Sequence, residues 1–233
     1  MKTSNLLLIG LLSFLFVAMI GVDFTIKNAF ENIDRNDPFY GYSRDTMKPF
    51  KYVKLVGDNF TLTQIQPGEQ FEIRSMKFSE STTRFSVKWE VQSDTLYVKF
   101  ERSIDNYVPF FNIESELTQK PGIYIFAPEL SGVSSEEIIC KVKGWPHGDF
   151  SVVQSGRGMH LVDNSFDNLS ILSRKRGYVA VLSDNHLLNI TVQVRDNSVF
   201  RVDKNVFKSF QIQADSTAAV TLPGNLLNKN INF

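Results

Sequence analysis

The sequence has few residues of the kinds that build disulfide-linked, metal-binding or nucleic-acid-binding proteins. It contains one cysteine and three histidines among 233 residues, and its 25 basic side chains are balanced by 25 acidic ones. A single cysteine excludes a disulfide framework. The zero net charge removes the positive field that holds phosphates, so nucleic acid is not an expected partner. The chain is nevertheless 42% hydrophobic, which suits a folded core rather than a disordered chain.

Methionine is also scarce, with five residues against twenty phenylalanines. Beyond Phe50, no window of ten or more residues shows a helical period. Short alternating runs rich in Val, Ile, Phe and Thr are separated by turn residues instead, and this pattern predicts an all-β fold. We expect residues 48–233 to form one continuous domain, with an N-terminal β part over 48–146 and repeated coils over 147–233.

One long apolar run stands at the N-terminus. Residues 6–22 carry no charged side chain, which predicts a single transmembrane anchor at the short end of the usual length. The candidate signal-peptidase positions, Met19 with Gly21 or Ala18 with Ile20, fit poorly, because small residues are needed at both the −3 and the −1 position. Lipid attachment is excluded because Cys140 lies far beyond the run. A cleaved signal peptide and a buried core helix are the alternatives to the anchor.

The residues around the apolar run orient it and connect it to the β part. Lys2 favours a cytoplasmic location for residues 1–5, because positive charge is enriched on the cytoplasmic side of a membrane span. Residues 1–5 are then a cytoplasmic stub, and the bulk of the chain lies on the other side of the membrane. Residues 23–47 are predicted to form a stalk and a linker, because apolar residues continue at helical spacing beyond the run. These residues are Ile26, Phe30 and Ile33.

Two hairpins are predicted in the N-terminal β part. Residues 60–73 place apolar residues on both sides of Pro67-Gly68, and residues 85–100 do the same around Ser93-Asp94. Turn residues between two alternating runs are typical of a chain reversal that pairs the flanking strands. We therefore expect hairpin coils at the start of the β domain.

The region beyond Phe150 repeats with a step of about 20 residues, a period that marks stacked repeat folds. Apolar–polar–apolar triplets recur at this step: Leu169–Ile171, Ile190–Val192, Phe210–Ile212 and Ile231–Phe233. A single apolar residue stands just before each triplet: Phe166, Leu187, Phe207 and Leu227. A third series, of short segments, recurs at the same step: Tyr178–Val181, Ser198–Val202 and Thr217–Val220. Short strands at a constant step predict a parallel β-helix, a solenoid whose like residues stack one strand spacing apart while Asn and Asp occupy the corners.

The chain from Lys48 onward carries a series of short motifs in a fixed order. They are Phe50-x-x-Val53-x-Leu55-x-Gly57-x-x-Phe60-x-Leu62, Pro67-Gly68 before Phe71-x-Ile73, Asp94-x-Leu96-x-Val98, and Ala127-Pro128-x-Leu130 ahead of the repeat. This order resembles the head GIN domain family, whose members are labelled auto-transporter adhesins of bacterial envelopes. The resemblance implies a β-helix on the non-cytoplasmic side of a membrane, and it supplies no catalytic residues.

Two segments are candidate interaction surfaces. Arg174, Lys175 and Arg176 form the densest basic run and fall at a corner of the predicted coils, with Arg157 near the preceding corner. A solvated turn is the plain interpretation, and contact with an anionic glycan or lipid headgroup is the functional one. Phe110 and Phe111 form either an exposed aromatic tip or part of a wide crossover between strands.

The residues that carry metal or thiol chemistry in other proteins do not assemble into a motif here. The separations of neighbouring histidines, His147 to His160 and His160 to His186, do not match the coil length, so no metal site is expected. Cys140 shares an alternating face with apolar neighbours and is interpreted as a small buried residue rather than a nucleophile. No cofactor is expected either.

One alternative is a carbohydrate-active enzyme, because enzymes that cleave acidic polysaccharides also use β-helices. Such an enzyme needs paired carboxylates or a base with a cation across a groove. Asp163, Asp167 and Asp184 with Arg174 are the candidates, although Asp is common at solenoid corners in any case. The sequence favours a membrane-anchored, non-catalytic β-solenoid that presents an interaction surface to an envelope protein or glycan, in adhesion or as a scaffold.

Overall fold

The computed structural model describes residues 3–34, 36–58, 61–76, 85–102 and 113–226. Contacts between residues divide the chain into two units. The first unit ends at Tyr42 and the second begins at Ser43.

The first unit consists mainly of the helix α1 (Thr3–Glu31). Its apolar stretch Leu7–Asn28 has 22 residues, none of them buried. At a rise of 1.5 Å per residue this stretch is about 33 Å long, which matches a hydrocarbon core of about 30 Å. The prediction of one N-terminal apolar helix is confirmed, and the helix continues past Val22 as the spacing of Ile26 and Phe30 indicated.

The second unit is mostly β and contains two mixed sheets. Sheet A consists, in spatial order within the described residues, of β1 (Tyr42–Thr46), β4 (Glu72–Met76), β7 (Ile123–Ala127), β3 (Thr63–Pro67), β9 (Cys140–Lys143), β11 (Gly158–Val162), β13 (Tyr178–Val181), β15 (Val199–Val202) and β17 (Ala219–Thr221). Sheet B consists, over the same parts of the chain, of β16 (Phe207–Ala214), β14 (His186–Val194), β12 (Ser165–Arg174), β10 (Asp149–Ser155), β8 (Gly132–Glu136), β2 (Tyr52–Gly57), β6 (Thr95–Arg102) and β5 (Phe85–Gln92).

From β10 to β17 the chain alternates between the two sheets, and each strand pairs in parallel with the strand two further along. The register places like residues side by side. One inward-facing row of sheet B contains Phe150, Leu169, Ile190 and Phe210, and the next contains Val152, Ile171, Val192 and Ile212. The members on the edge strand β16, Phe210 and Ile212, are half-buried. The predicted stacking of the first three triplets is confirmed. The fourth, Ile231–Phe233, and Leu227 lie outside the described residues.

Apolar rows from both sheets form one buried cluster. The rows of sheet A contribute residues such as Ile125, Val142, Val179 and Phe200, each fully buried. Alternation along the strands sends the intervening side chains outward, except at Asp167–Asn168 and the equivalent pairs on β14 and β16, where two consecutive residues are exposed. The constant step in the sequence thus produces a continuous core, because a change of register by one residue would expose the whole row.

One of the two predicted hairpins is confirmed. Strands β5 and β6 pair antiparallel around Ser93, whose φ of 56° suits a tight turn. The other hairpin prediction is wrong, because β7 lies between β3 and β4. Strand β7 pairs in parallel with β3 and antiparallel with β4. Its buried residues on both faces suit the central position, whereas the Pro67-Gly68 turn specifies only a local change of direction.

One short helix follows Phe110 and Phe111 in the chain. Helix α2 (Ile113–Leu117) has five residues and contacts β11 of sheet A. Leu117 is fully buried and belongs to a small apolar cluster with Leu62 and Ile139. The predicted aromatic tip, Phe110 and Phe111, lies outside the described residues.

Candidate functional site

The basic run lies at a corner where the chain passes from sheet B to sheet A. Residues with positive φ recur at this corner in successive repeats, and we call it the basic corner. They are Glu137, Gly156, Arg157, Lys175, Arg176, Asp196 and Asn197. The left-handed backbone turns the chain sharply, so each repeat ends its sheet B strand with the same geometry.

The structure brings Arg157 close to the basic run, as the sequence spacing indicated. The backbone N–H of Gly156 donates to the carbonyl of Arg174 at 3.2 Å. Acidic side chains accompany two of the basic groups: Lys175 Nζ lies 3.1 Å from Glu136 Oε1, and Arg157 Nη1 lies 3.9 Å from Glu116 Oε2. These pairs reduce the positive field of the corner. A role for Arg174, Lys175 and Arg176 in binding therefore stays a prediction.

The histidines occupy two different places. His160 lies on the outer face of sheet A beside Lys141, whereas His147 and His186 line one groove at the opposite corner. The described residues contain no group of three His, Cys, Asp or Glu side chains suited to hold a metal. His147 and His186 are about two repeat lengths apart, and this spacing is the sequence signal that brings them together. The separations of neighbouring histidines alone do not reveal it.

Cys140 is fully buried in β9, as predicted. Burial raises the pKa of its thiol to about 12, because the thiolate loses its hydration, and a weaker hydrogen bond with Ser135 opposes the shift. The thiolate is the nucleophilic form of cysteine. Cys140 is therefore held in its unreactive form and fills space in the core.

Helix α2 covers His160 and its neighbours. Glu114 forms an ion pair with Arg201 and accepts a hydrogen bond from Tyr178 Oη at 3.3 Å. Gly158 permits the close approach of the helix, since a Cβ atom there would lie 2.7 Å from Cγ2 of Ile113. His160 is 8% exposed beside this cover.

Burial lowers the pKa of His160 to about 4, and Lys141 adds to the lowering. Glu114 and Asp203 raise it, and Arg201 lowers it further. The unfolded chain, with a histidine pKa near 6.5, then binds more protons than the native protein between about pH 6.5 and pH 4. We expect the free energy of unfolding to fall as the pH decreases through this range.

Urea unfolding of the protein and of His160→Gln at several pH values measures this effect. The Gln variant keeps a neutral polar side chain of similar size but takes up no proton. The difference between the two stabilities should therefore shift with pH in favour of the variant as the pH falls. Parallel pH curves for the two proteins would contradict the buried, neutral state of His160.

The groove at the opposite corner is a concave feature with a volume of about 570 Å³. We call it the corner groove. Successive repeats contribute to its wall, because the chain enters β12, β14 and β16 here. The side chains that matter for its chemistry are His147, Asp167, His186, Leu188, Lys204 and Lys208. Its buried side is apolar, with Phe166, Leu187 and Phe207 stacked in one row.

A ladder of buried asparagines supports this corner. Asn185 Oδ1 accepts hydrogen bonds from the backbone N–H and the side-chain Nδ2 of Asn164, both at 3.0 Å. Asn185 Nδ2 donates to the carbonyl oxygens of Leu161 at 2.7 Å and Leu182 at 2.9 Å. Asn205 occupies the next repeat. The Asn-rich corners predicted from the sequence thus owe their composition to buried amides that satisfy turn backbone groups.

The residues proposed for an enzyme do not assemble around Arg174. Asp167 stands near the beginning of β12, and Arg174 is the last residue of that strand. Seven residues of extended strand separate the two Cα atoms by about 23 Å. Asp163 and Asp184 belong to the turns before β12 and β14, at the end of the strand far from Arg174. A carboxylate and a cation that act on one sugar must lie much closer.

The outer face of sheet B carries rows of uncharged polar side chains beside the corner groove. One row contains Ser151, Ser170, Thr191 and Gln211, all exposed. In the neighbouring row, Asn189 Nδ2 donates to Asn168 Oδ1 at 2.9 Å, and Asn168 Nδ2 donates to Asp149 Oδ1 at 2.6 Å. We call the exposed residues of these rows on β12 and β14 the polar face: Asn168, Ser170, Asn189 and Thr191.

Comparison with known proteins gives distant structural likenesses. No family model and no curated protein matches the chain. A protein from Bacteroides fragilis provisionally described as an adhesin is 11% identical, with a TM-score of 0.42, and the match covers 77% of this chain and 95% of that one. A provisional adhesin from Parabacteroides merdae is 11% identical with a TM-score of 0.30, over 77% and 94%. A provisional cell adhesion protein from Clostridium sporogenes is 12% identical with a TM-score of 0.28, over 77% and 97%. At this level of similarity neither function nor binding residues transfer to this chain.

Proposed function

We propose that this protein is a membrane-anchored, non-catalytic β-solenoid that presents an interaction surface in the bacterial cell envelope, in adhesion or as a scaffold. The observation that carries the proposal is the polar face of sheet B. Hydroxyl and amide groups of Ser170, Thr191, Asn168 and Asn189 stand in register on adjacent strands. Such groups bind sugar hydroxyls or the polar surface of a protein through hydrogen bonds, and they offer no acid–base pair for catalysis.

The parallel register supports the solenoid. Strands of successive repeats alternate between the two sheets, and each repeat stacks on the previous one with a step of about 20 residues. A stack of this kind extends its outer surface with each repeat, so equivalent side chains repeat at the strand spacing. The regular spacing suits a partner with a repeating structure, such as a glycan chain.

The apolar helix supports the anchor. The stretch Leu7–Asn28 is long and apolar enough to span a bilayer. We propose residues 6–22 as the anchor, residues 1–5 as a cytoplasmic stub, and residues 23–47 as the stalk and linker, whose last part joins sheet A as β1. Residues 48–233 then form one domain in the periplasm or outside the cell. Recovery in the soluble fraction after a carbonate wash of membranes would contradict the anchor.

Photo-crosslinking in native cells tests the interaction surface. A photoreactive residue at Thr191, on the polar face, should crosslink to an envelope protein or glycan, whereas the same residue at Thr221, exposed on β17 of sheet A, should not. Ser170→Arg should weaken the Thr191 crosslink at least tenfold, because a long cation replaces a hydroxyl beside it. Equal labelling from both positions would contradict the proposal, and so would shortened polysaccharide fragments released by the purified protein.

A further inference from the structure

The corner groove has the form of a small-molecule site. Its volume of about 570 Å³ falls within the range of about 300–1,000 Å³ that ligand pockets occupy. The row beneath it is fixed by stacking, since Phe166, Leu187 and Phe207 are at most 8% exposed and paired in register. The groove is therefore formed before any ligand arrives, and binding requires little reorganisation of the backbone.

The charges of the groove are separated along its length. Asp167, Leu188 and Lys208 directly follow the paired residues Phe166, Leu187 and Phe207, so they occupy equivalent positions on the neighbouring strands β12, β14 and β16. Two strand spacings place Asp167 about 10 Å from Lys208, so the two charges do not neutralise each other by direct contact. Lys204 is exposed on the same side as Lys208, and within the described residues neither ammonium group has an ion-pair partner. Asp167 Oδ2 accepts a hydrogen bond from the backbone N–H of Gly148 at 3.2 Å.

We propose that the corner groove binds a carboxylated pyranose, such as one unit of an acidic polysaccharide. The two ammonium groups of Lys204 and Lys208 bind the sugar carboxylate. The carboxylate of Asp167 accepts hydrogen bonds from sugar hydroxyls at the other end of the groove. Leu188, 38% exposed between the two ends, packs against the apolar C–H face of the ring.

The same residues disfavour other ligands. A neutral sugar supplies hydroxyls for Asp167 but no anion for the two lysines. A simple anion such as phosphate binds the lysines but leaves Leu188 and Asp167 unused. The imidazoles of His147 and His186 add hydrogen-bonding groups that suit hydroxyls, since each ring nitrogen either donates or accepts. A ring that combines a carboxylate with hydroxyls uses all of these groups together.

This inference does not rest on the proposed function. The polar face begins at Asn168, beyond the groove, and consists of different side chains. Loss of crosslinking at Thr191 would leave the groove and its ligand unaffected. Conversely, a groove without ligand would leave the polar face as an interaction surface. The two proposals therefore fail separately.

Calorimetric titration of the full chain, in micelles of a neutral detergent, tests the groove with trigalacturonic acid. Its fully methylated ester has the same ring and hydroxyls without the negative charges. The acid should bind at least tenfold more tightly than the ester. The double variant Lys204→Gln/Lys208→Gln should weaken binding of the acid at least tenfold and leave the ester unchanged, with the same urea midpoint as the parent protein.

A matched variant controls for the loss of two positive charges. Lys51→Gln/Lys54→Gln removes the same charge from two exposed lysines, one on β2 and one just before it. It should bind trigalacturonic acid as the parent protein does. Equal affinity for acid and ester, equal losses in the two double variants, or no detectable binding of the acid would each overturn the proposal.

Discussion

Replacing Ile190 by Asp is expected to abolish cooperative folding of the second unit. Ile190 is 1% exposed and lies in a buried row of sheet B, between Leu169 and Phe210. The carboxylate would be enclosed by apolar side chains on both sides, with no opposite charge in the row. A cost of about 4 kcal/mol or more approaches the whole stability of a typical domain. Because each repeat contacts its neighbours, the damage should spread to the adjoining repeats.

Thr191→Asp is the matched control for Ile190→Asp. Thr191 is the next residue along β14 and is exposed on the outer face of sheet B. The same charge placed in water should change the free energy of unfolding by no more than about 0.5 kcal/mol. Urea unfolding followed by tryptophan fluorescence measures both variants. A cooperative transition of Ile190→Asp at the midpoint of the parent protein would disprove the inward direction of this row.

Asn185→Ala should destabilise the protein by about 2–4 kcal/mol, since several buried groups lose their partners. The Asn185 amide accepts from the backbone and side chain of Asn164 and donates to the carbonyls of Leu161 and Leu182. Asn185 is only 1% exposed, so water does not replace these hydrogen bonds. The turn between β13 and β14 should become mobile, and its amide protons should exchange faster with solvent.

Asn189→Ala removes an equivalent side chain from the exposed ladder. Its amide donates to Asn168 Oδ1 at 2.9 Å, but both residues are exposed and water takes over the hydrogen bond. We expect a change within about 0.5 kcal/mol. Comparable losses from Asn185→Ala and Asn189→Ala, measured by urea unfolding, would show that the buried ladder contributes no more than the exposed one.

The repeat was predictable because it depends on local pattern alone. Alternation fixes which side chains face inward, and a constant step fixes which residues become neighbours, so the triplets at Leu169, Ile190 and Phe210 are sufficient to define the register. The asparagine-rich corners and the buried Cys140 follow from the same pattern. The N-terminal helix was predictable for an even simpler reason, since a long run without charge has few other stable conformations.

The pairing of β3 and β4 was not predictable in this way. Pro67-Gly68 indicates a turn, but it does not reveal that Ile123–Ala127, far along the chain, inserts between the two strands. The short helix α2 is a similar case. Its two glutamates pair with Arg201 of β15 and with Arg157 of the basic corner, both distant in the chain, and an isolated helix of five residues has no stability of its own.

The sequence by itself determined the β class, the repeat register and the apolar helix, because periods of two and of about 20 residues and a long uncharged run are properties of the chain order. Only the tertiary structure decided where chemistry can occur. It joined His147 and His186, which lie two repeats apart, in one groove with Lys208, and it placed Arg174 at the far end of β12 from Asp167. Equivalent residues of successive repeats lie one strand spacing apart in the stack, however far apart they are in sequence. Two residues seven positions apart on one extended strand, in contrast, are separated by about 23 Å.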